Sequence, residues 1–184
     1  MATNAQPAAA DSSAGVAPAP NPNGATVPWL DPEEMRAWRG LIEMTGDVRA
    51  ALDAELLGEF GLSEGDYGVL VNLSEAPDRR MRMCDLAVRM HLSPSGLTRR
   101  LDGLVRDGLV VREPSQDDRR VSLAVLTDDG FARLEQAAPV HVAGVRRQLF
   151  DHMTRTQIRQ LGAAFDHLRE RRAGIDSGSP GTTR

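Results

Sequence analysis

A mainly α-helical fold with one small β-hairpin is what this sequence predicts, and three features predict it. Apolar residues recur at spacings of three and four through most of residues 31–172, as helices that bury one face require. Aromatic residues make up only 4% of the chain against 41% for all hydrophobic types, so the core must be aliphatic, built from Leu, Val, Ala and Met. Strand-like sequence is confined to residues 109–112 and 121–126, on either side of a charged turn.

The elements follow in order. Residues 1–28 are Ala, Pro, Asn, Ser and Gly with almost no charge or large apolar group, too little to offset the entropy of ordering, and a disordered tail is expected there. Asp31-Pro32-Glu33-Glu34 opens the folded part as an N-cap, a first-turn proline and a capping-box acid. A long first helix is expected over residues 29–60, ended by Gly61. Ser63 to Asp66 repeats the cap pattern and opens a second helix to about Ser74. Arg82-Met83 is a candidate short strand. Residues 85–90 form a short helix, His91-Leu92-Ser93 a tight turn, and Ser93-Pro94 the cap and first residue of the next helix. That helix carries Leu97, Leu101 and Leu104 and ends at Gly108. After the hairpin, Thr127-Asp128-Asp129 caps a long helix with an apolar stripe of Phe131, Leu134, Ala138, Val142, Val145 and Leu149, in which Pro139 is expected to place a kink. Thr154 to Gln157 is a capping box for a last helix bearing Ile158, Leu161, Phe165 and Leu168, and residues 174–184 are expected to form a disordered tail.

Two helices joined by a tight turn and followed by a hairpin make a winged helix-turn-helix, the second helix of which enters the DNA major groove N-terminus first. Charge agrees. The chain has a formal charge of −4, yet residues 79–120 hold ten arginines against six acids, a local +4 that leaves −8 elsewhere. A cationic segment on an acidic body suits a protein that meets DNA on one face. All 22 basic residues are arginine, the side chain suited to bidentate bonds with phosphate or guanine. The candidate DNA-binding residues are Ser93, Ser95, Gly96, Thr98, Arg99 and Arg100 on the second helix, and Asp118, Arg119 and Arg120 at the wing tip. Asp118 is expected to fold back on Arg120 or on wing amides, fixing the tip while Arg119 or Arg120 points to DNA. Arg79, Arg80 and Arg82 are candidate phosphate contacts, and Arg106 and Arg112 read as structural.

Asp118-Arg119-Arg120, five residues and Leu126-Thr127 resemble the wing signature of the MarR family, and Leu86-Ala87 with the run from Ser93 to Glu113 resembles its helix-turn-helix. The resemblance covers about residues 31–172. It implies a homodimer built from the long terminal helices, residues 29–60 and 127–173, around a DNA-binding region at 61–126. It further implies a repressor on a palindromic operator of double-stranded DNA, released by a small, often aromatic, ligand. Trp38 and Tyr67 are the candidate ligand contacts, although Gly68 stands where urate-responsive relatives place an acid.

Other classes find less support. No P-loop, CxxC or catalytic carboxylate pair suggests an enzyme, and no cofactor or metal is expected. A metal- or redox-responsive winged-helix sensor needs clustered Cys or His. The single Cys84 precludes an intrachain disulfide and reads as a small N-cap, and the four histidines lack metal spacing. A protein-interaction module without DNA affinity leaves the arginines unexplained. No leader-like run and no apolar stretch of membrane-spanning length is present, so a cytoplasmic location without membrane contact is expected.

Overall fold

The structure, a computed structural model, describes residues 28–115, 118 and 120–177. The expected tails therefore lie mostly outside the described residues, as does Arg119. By its internal contacts the chain divides into two units, residues 1–43 and 44–184. It is mainly helical, with a three-stranded sheet where a two-stranded hairpin was expected.

Helix α1 spans Pro32–Phe60. The Asp31 carboxylate accepts the Glu33 and Glu34 amides at 2.7 and 2.9 Å, and Glu34 accepts the Asp31 amide at 2.9 Å, the expected reciprocal cap. Helix α2, Glu64–Ser74, starts on a second such box between Ser63 and Asp66. Helices α3, Met83–Arg89, and α4, Pro94–Arg106, form the helix-turn-helix. The turn between them depends on His91 at φ +53°, with the His91 amide bonded to Val88 O and the Leu92 amide to Ala87 O. This is the Schellman arrangement, in which a left-handed residue lets two amides reach back to the helix's last carbonyls. The same pattern closes α4, where Gly108 at φ +73° takes the left-handed position without strain.

Strands β1, Arg80–Arg82, β2, Val110–Pro114, and β3, Ser122–Leu126, are antiparallel in the order β1-β3-β2. Arg80 pairs with Val125, and Val111 pairs with the same residue from the other side. The expected strand at Arg82-Met83 thus lies one to two residues earlier, because Met83 already begins α3. Helix α5, Asp128–Gln148, is continuous through Pro139. Its buried positions are Gly130, Leu134, Ala137 and Gly144, so Val142, expected on the apolar stripe, falls off that face and is exposed. Helix α6, Arg155–Ser177, opens on the Thr154–Gln157 box and runs past the expected boundary at residue 173.

The core is aliphatic, as composition required. Val69, Leu70 and Leu73 of α2 are fully buried at its centre, with Leu86 of α3, Leu97, Leu101 and Leu104 of α4, Val110 of β2 and Ala124 of β3 around them. Gly130 joins α5 to this body, since a Cβ there would collide with the Leu109 carbonyl oxygen and the Leu126 side chain. Thr127 secures the same junction by donating its hydroxyl to Gly108 O or Leu109 O, at 2.8 and 3.0 Å. Because one obstacle at Gly130 is backbone, Gly130→Ala is expected to destabilise the fold by about 1–3 kcal/mol. Chemical denaturation measures this, and an unchanged midpoint would contradict the close approach.

Candidate nucleic-acid interface

The N-terminal end of α4 is built from small polar residues for local reasons. Ser93 Oγ accepts the Gly96 amide at 3.1 Å, capping the helix, and lies 3.2 Å from Ser95 Oγ. Gly96 leaves room for that cap, since a Cβ there would stand 3.1 Å from Ser93 Oγ. Thr98 donates its hydroxyl to Pro94 O at 2.9 Å. Ser93, Ser95, Thr98 and Arg99 are exposed, and Arg99 makes no hydrogen bond or ion pair among the described residues. The result is a low helix tip with hydroxyls and one extended guanidinium.

Arg100 departs from the expectation. Its guanidinium turns back toward the start of α2, where Nη1 donates to Ser63 Oγ at 3.0 Å and to Asp66 Oδ1 at 3.2 Å. Its side chain is only 31% exposed, and it occupies the space a Cβ on Gly65 would need. Helical phase explains the difference from Arg99. Arg100 stands three residues after Leu97 and four before Leu104, on the flank of the buried face, whereas Arg99 projects from the opposite side. Arg100 therefore anchors α4 to α2 and is not presented at the tip.

The wing is fixed much as expected. Asp118 Oδ1 accepts the Arg120 amide at 2.9 Å, and the Asp118 carbonyl accepts the Val121 amide at 2.9 Å. One acid thus closes the turn through backbone groups and leaves the Arg120 side chain exposed. At the base of the wing, the Arg112 guanidinium donates to Thr98 O at 2.9 Å and to Asp102 Oδ1 at 2.7 Å, tying β2 to α4. Arg79 is also held inward. Its guanidinium lies 3.7 Å over the Phe131 ring and 3.1 Å from Asp128, a cation–π and ion-pair position.

The remaining candidates separate. Trp38 lies on α1 with 53% of its surface exposed. Tyr67 is 8% exposed, belongs to the core, and stacks on His141 of α5 with ring centroids 4.3 Å apart. In this conformation Tyr67 packs the α2–α5 junction. Burial raises its hydroxyl pKa above the ordinary value. Cys84 is not the cap of α3. Arg82 holds that position, and the exposed Cys84 lies inside the first turn with Sγ 3.5 Å from Asp85 Oδ1.

Comparison with known proteins decides the family. A family model described as MarR family matches residues 60–121, the span from the end of α1 to the wing. The HTH-type transcriptional repressor YetL of Bacillus subtilis is 31% identical over 142 residues, covering 76% of this chain and 84% of that protein. The chain belongs to the MarR family. Two solved MarR family transcriptional regulators of Streptomyces coelicolor agree in fold at 37% identity and a TM-score of 0.73. AbsC covers 80% of this chain and 99% of its own; Sco3205, solved in complex with DNA, covers 78% and 90%. The chain is thus a transcriptional regulator of the winged-helix type.

In this MarR-family chain, sequence reading missed the Arg100 clamp, because its acceptors lie 34 and 37 residues away. The phase of Arg100 beside Leu97 and Leu104 was the available signal. His141 was also read as a surface or structural residue. Its Nδ1 is buried without a hydrogen-bond partner among the described residues, and desolvation lowers its pKa below the ordinary 6.5, opposed by the charge of Glu64. The unfolded chain therefore takes up this proton first, and stability falls as pH drops below about 6.5. His141→Phe, which keeps a ring on Tyr67, is expected to flatten the fall in melting temperature between about pH 7.5 and 5.5. A slope identical to the parent's would remove His141 as a contributor.

Proposed function

We propose that the protein binds a palindromic DNA operator as a homodimer and represses transcription from it. The observation that carries this reading is the exposed α4 tip of Ser93, Ser95, Thr98 and Arg99 set beside a wing turn that Asp118 closes, with Arg120 outward. A helix end of small polar residues fits the major groove, and an arginine beside it suits the neighbouring minor groove. The DNA complex of Sco3205 supports the same use of this fold. Gly96 allows close approach, and Arg119 is assigned to the wing contact with Arg120. Arg100 serves by fixing the helix, and Asp118 by fixing the wing.

Residues 61–126 are assigned to DNA reading, and residues 29–60 with 127–173 to dimerisation. The support for a dimer is α6. No residue of that helix is buried among those described, yet it carries Phe165 at 38% and Leu168 at 56% exposure. A lone helix in water is marginal, and an apolar stripe left exposed marks a partner surface. A small aromatic ligand is assigned as the release signal, with exposed Trp38 as the contact to test by fluorescence quenching.

Electrophoretic mobility and footprinting on DNA flanking its own coding region test the main claim. Protection is expected over two half-sites about 34 Å apart, with affinity falling steeply in salt. Arg120→Ala is expected to cost about 1–3 kcal/mol of binding. An unchanged affinity would exclude Arg120, and a flat salt response would exclude DNA binding. Leu168→Glu is expected to convert a dimer of twice the chain mass to monomer in sedimentation and to abolish half-site pairing. A wild-type monomer would overturn the dimer.

A further inference from the structure

We infer a third DNA contact, a phosphate site in the cleft between β1, α3 and the base of the wing; it rests on the DNA-binding reading above. The cleft has a volume of about 510 Å³, and its charged walls are Arg80, Arg82 and Arg89 with the two acids Glu75 and Asp85. Such a volume is of ligand size. The three arginines do not stand alike. Arg80 lies 3.8 Å from Glu113, whereas Arg82 and Arg89 are exposed and make no ion pair among the described residues. Arg82 precedes α3 and Arg89 ends it, so the two guanidiniums bracket the first helix of the helix-turn-helix. That helix is the one that crosses the sugar–phosphate backbone when the second enters the groove. Arg79, adjacent in sequence, is excluded because Phe131 and Asp128 already hold it.

The chemistry recognised is a phosphate oxyanion, and the assigned source is the duplex backbone flanking each half-site. Arg82 and Arg89 add affinity there without reading bases, because phosphate contacts carry no sequence information directly. Asp85 and Glu75, on the walls of the same cleft, oppose the bound phosphate and limit the affinity.

The test compares wild type, the Arg82→Gln/Arg89→Gln double variant and Asp85→Asn, on operator and on random-sequence duplex across a chloride series. The double variant should lose affinity for both duplexes by the same factor, with the slope of log K against log salt smaller by about one per arginine. Asp85→Asn should bind both more tightly than wild type, while the acid-removing control Asp11→Asn, in the N-terminal segment, should not. Misfolding does not produce that gain, so the proposal stays falsifiable if the double variant is unstable. Unchanged slopes and affinities in a wild type that binds DNA overturn the cleft and leave the regulator reading standing. A wild type that binds no duplex overturns both. Inorganic phosphate that binds wild type but not the double variant, beyond chloride of equal ionic strength, while both proteins bind duplex equally, would assign the site to a free anion and overturn the backbone source.

Discussion

Everything at the candidate interface rests on the packing of leucines around α2. Leu70 and Leu73 have no exposed surface, and Leu86, Leu97 and Leu101 reach them from both helices of the helix-turn-helix. Each such side chain contributes about 1.5–3 kcal/mol by leaving water. Three leucines of α4 at positions 97, 101 and 104 set the rotation of that helix about its axis. Rotation in turn decides which polar residues reach outward. With few aromatics in the chain, this orientation is fixed by many small aliphatic contacts and not by one large anchor.

Electrostatics then refine what packing has oriented. Arg100 and Arg112 grip α4 from two sides, one through Ser63 and Asp66 on α2, the other through Thr98 O and Asp102 from the wing. Their bonds are charge-assisted and directional, so they restrict sliding of α4 along its groove. Arg99 and Arg120, on surfaces turned from the core, have no such partners among the described residues. Arginines of one segment are thus divided between holding the frame and standing ready on it. The division suits an all-arginine chain, because the guanidinium serves both as a structural fork and as a phosphate or guanine ligand.

The stem follows a different logic. Gly144 lets α5 pass close to Leu52 and Glu55 of α1, where Arg147 meets Glu55 at 2.6 Å. Beyond that crossing the protein's own contacts thin out, and α6 offers its apolar residues to solvent. The half of the molecule proposed to read DNA has its core completed by Leu56 of α1 and by Leu134 and Ala137 of α5, whereas α6 keeps an open face. A second chain that covers this face gives the proposed paired geometry a physical cause.

The sequence alone determined the order of the helices and the starts of the capped ones, because those signals are local. Caps at Asp31, Ser63, Ser93, Thr127 and Thr154 each bond a backbone amide three residues on, and Asp118 bonds the Arg120 amide two residues on. Such contacts are legible in any short window. Composition likewise fixed an aliphatic core, and the charge of residues 79–120 pointed to the candidate interface. Tertiary structure alone decided the rest. It added β1 to the sheet by pairing Arg80 with Val125, moved Cys84 inside α3, put Val142 off the buried face of α5, and took Arg100 from the tip to a clamp on Asp66. These outcomes depend on which distant surface each residue meets, and helical phase or strand character constrains that meeting without naming the partner.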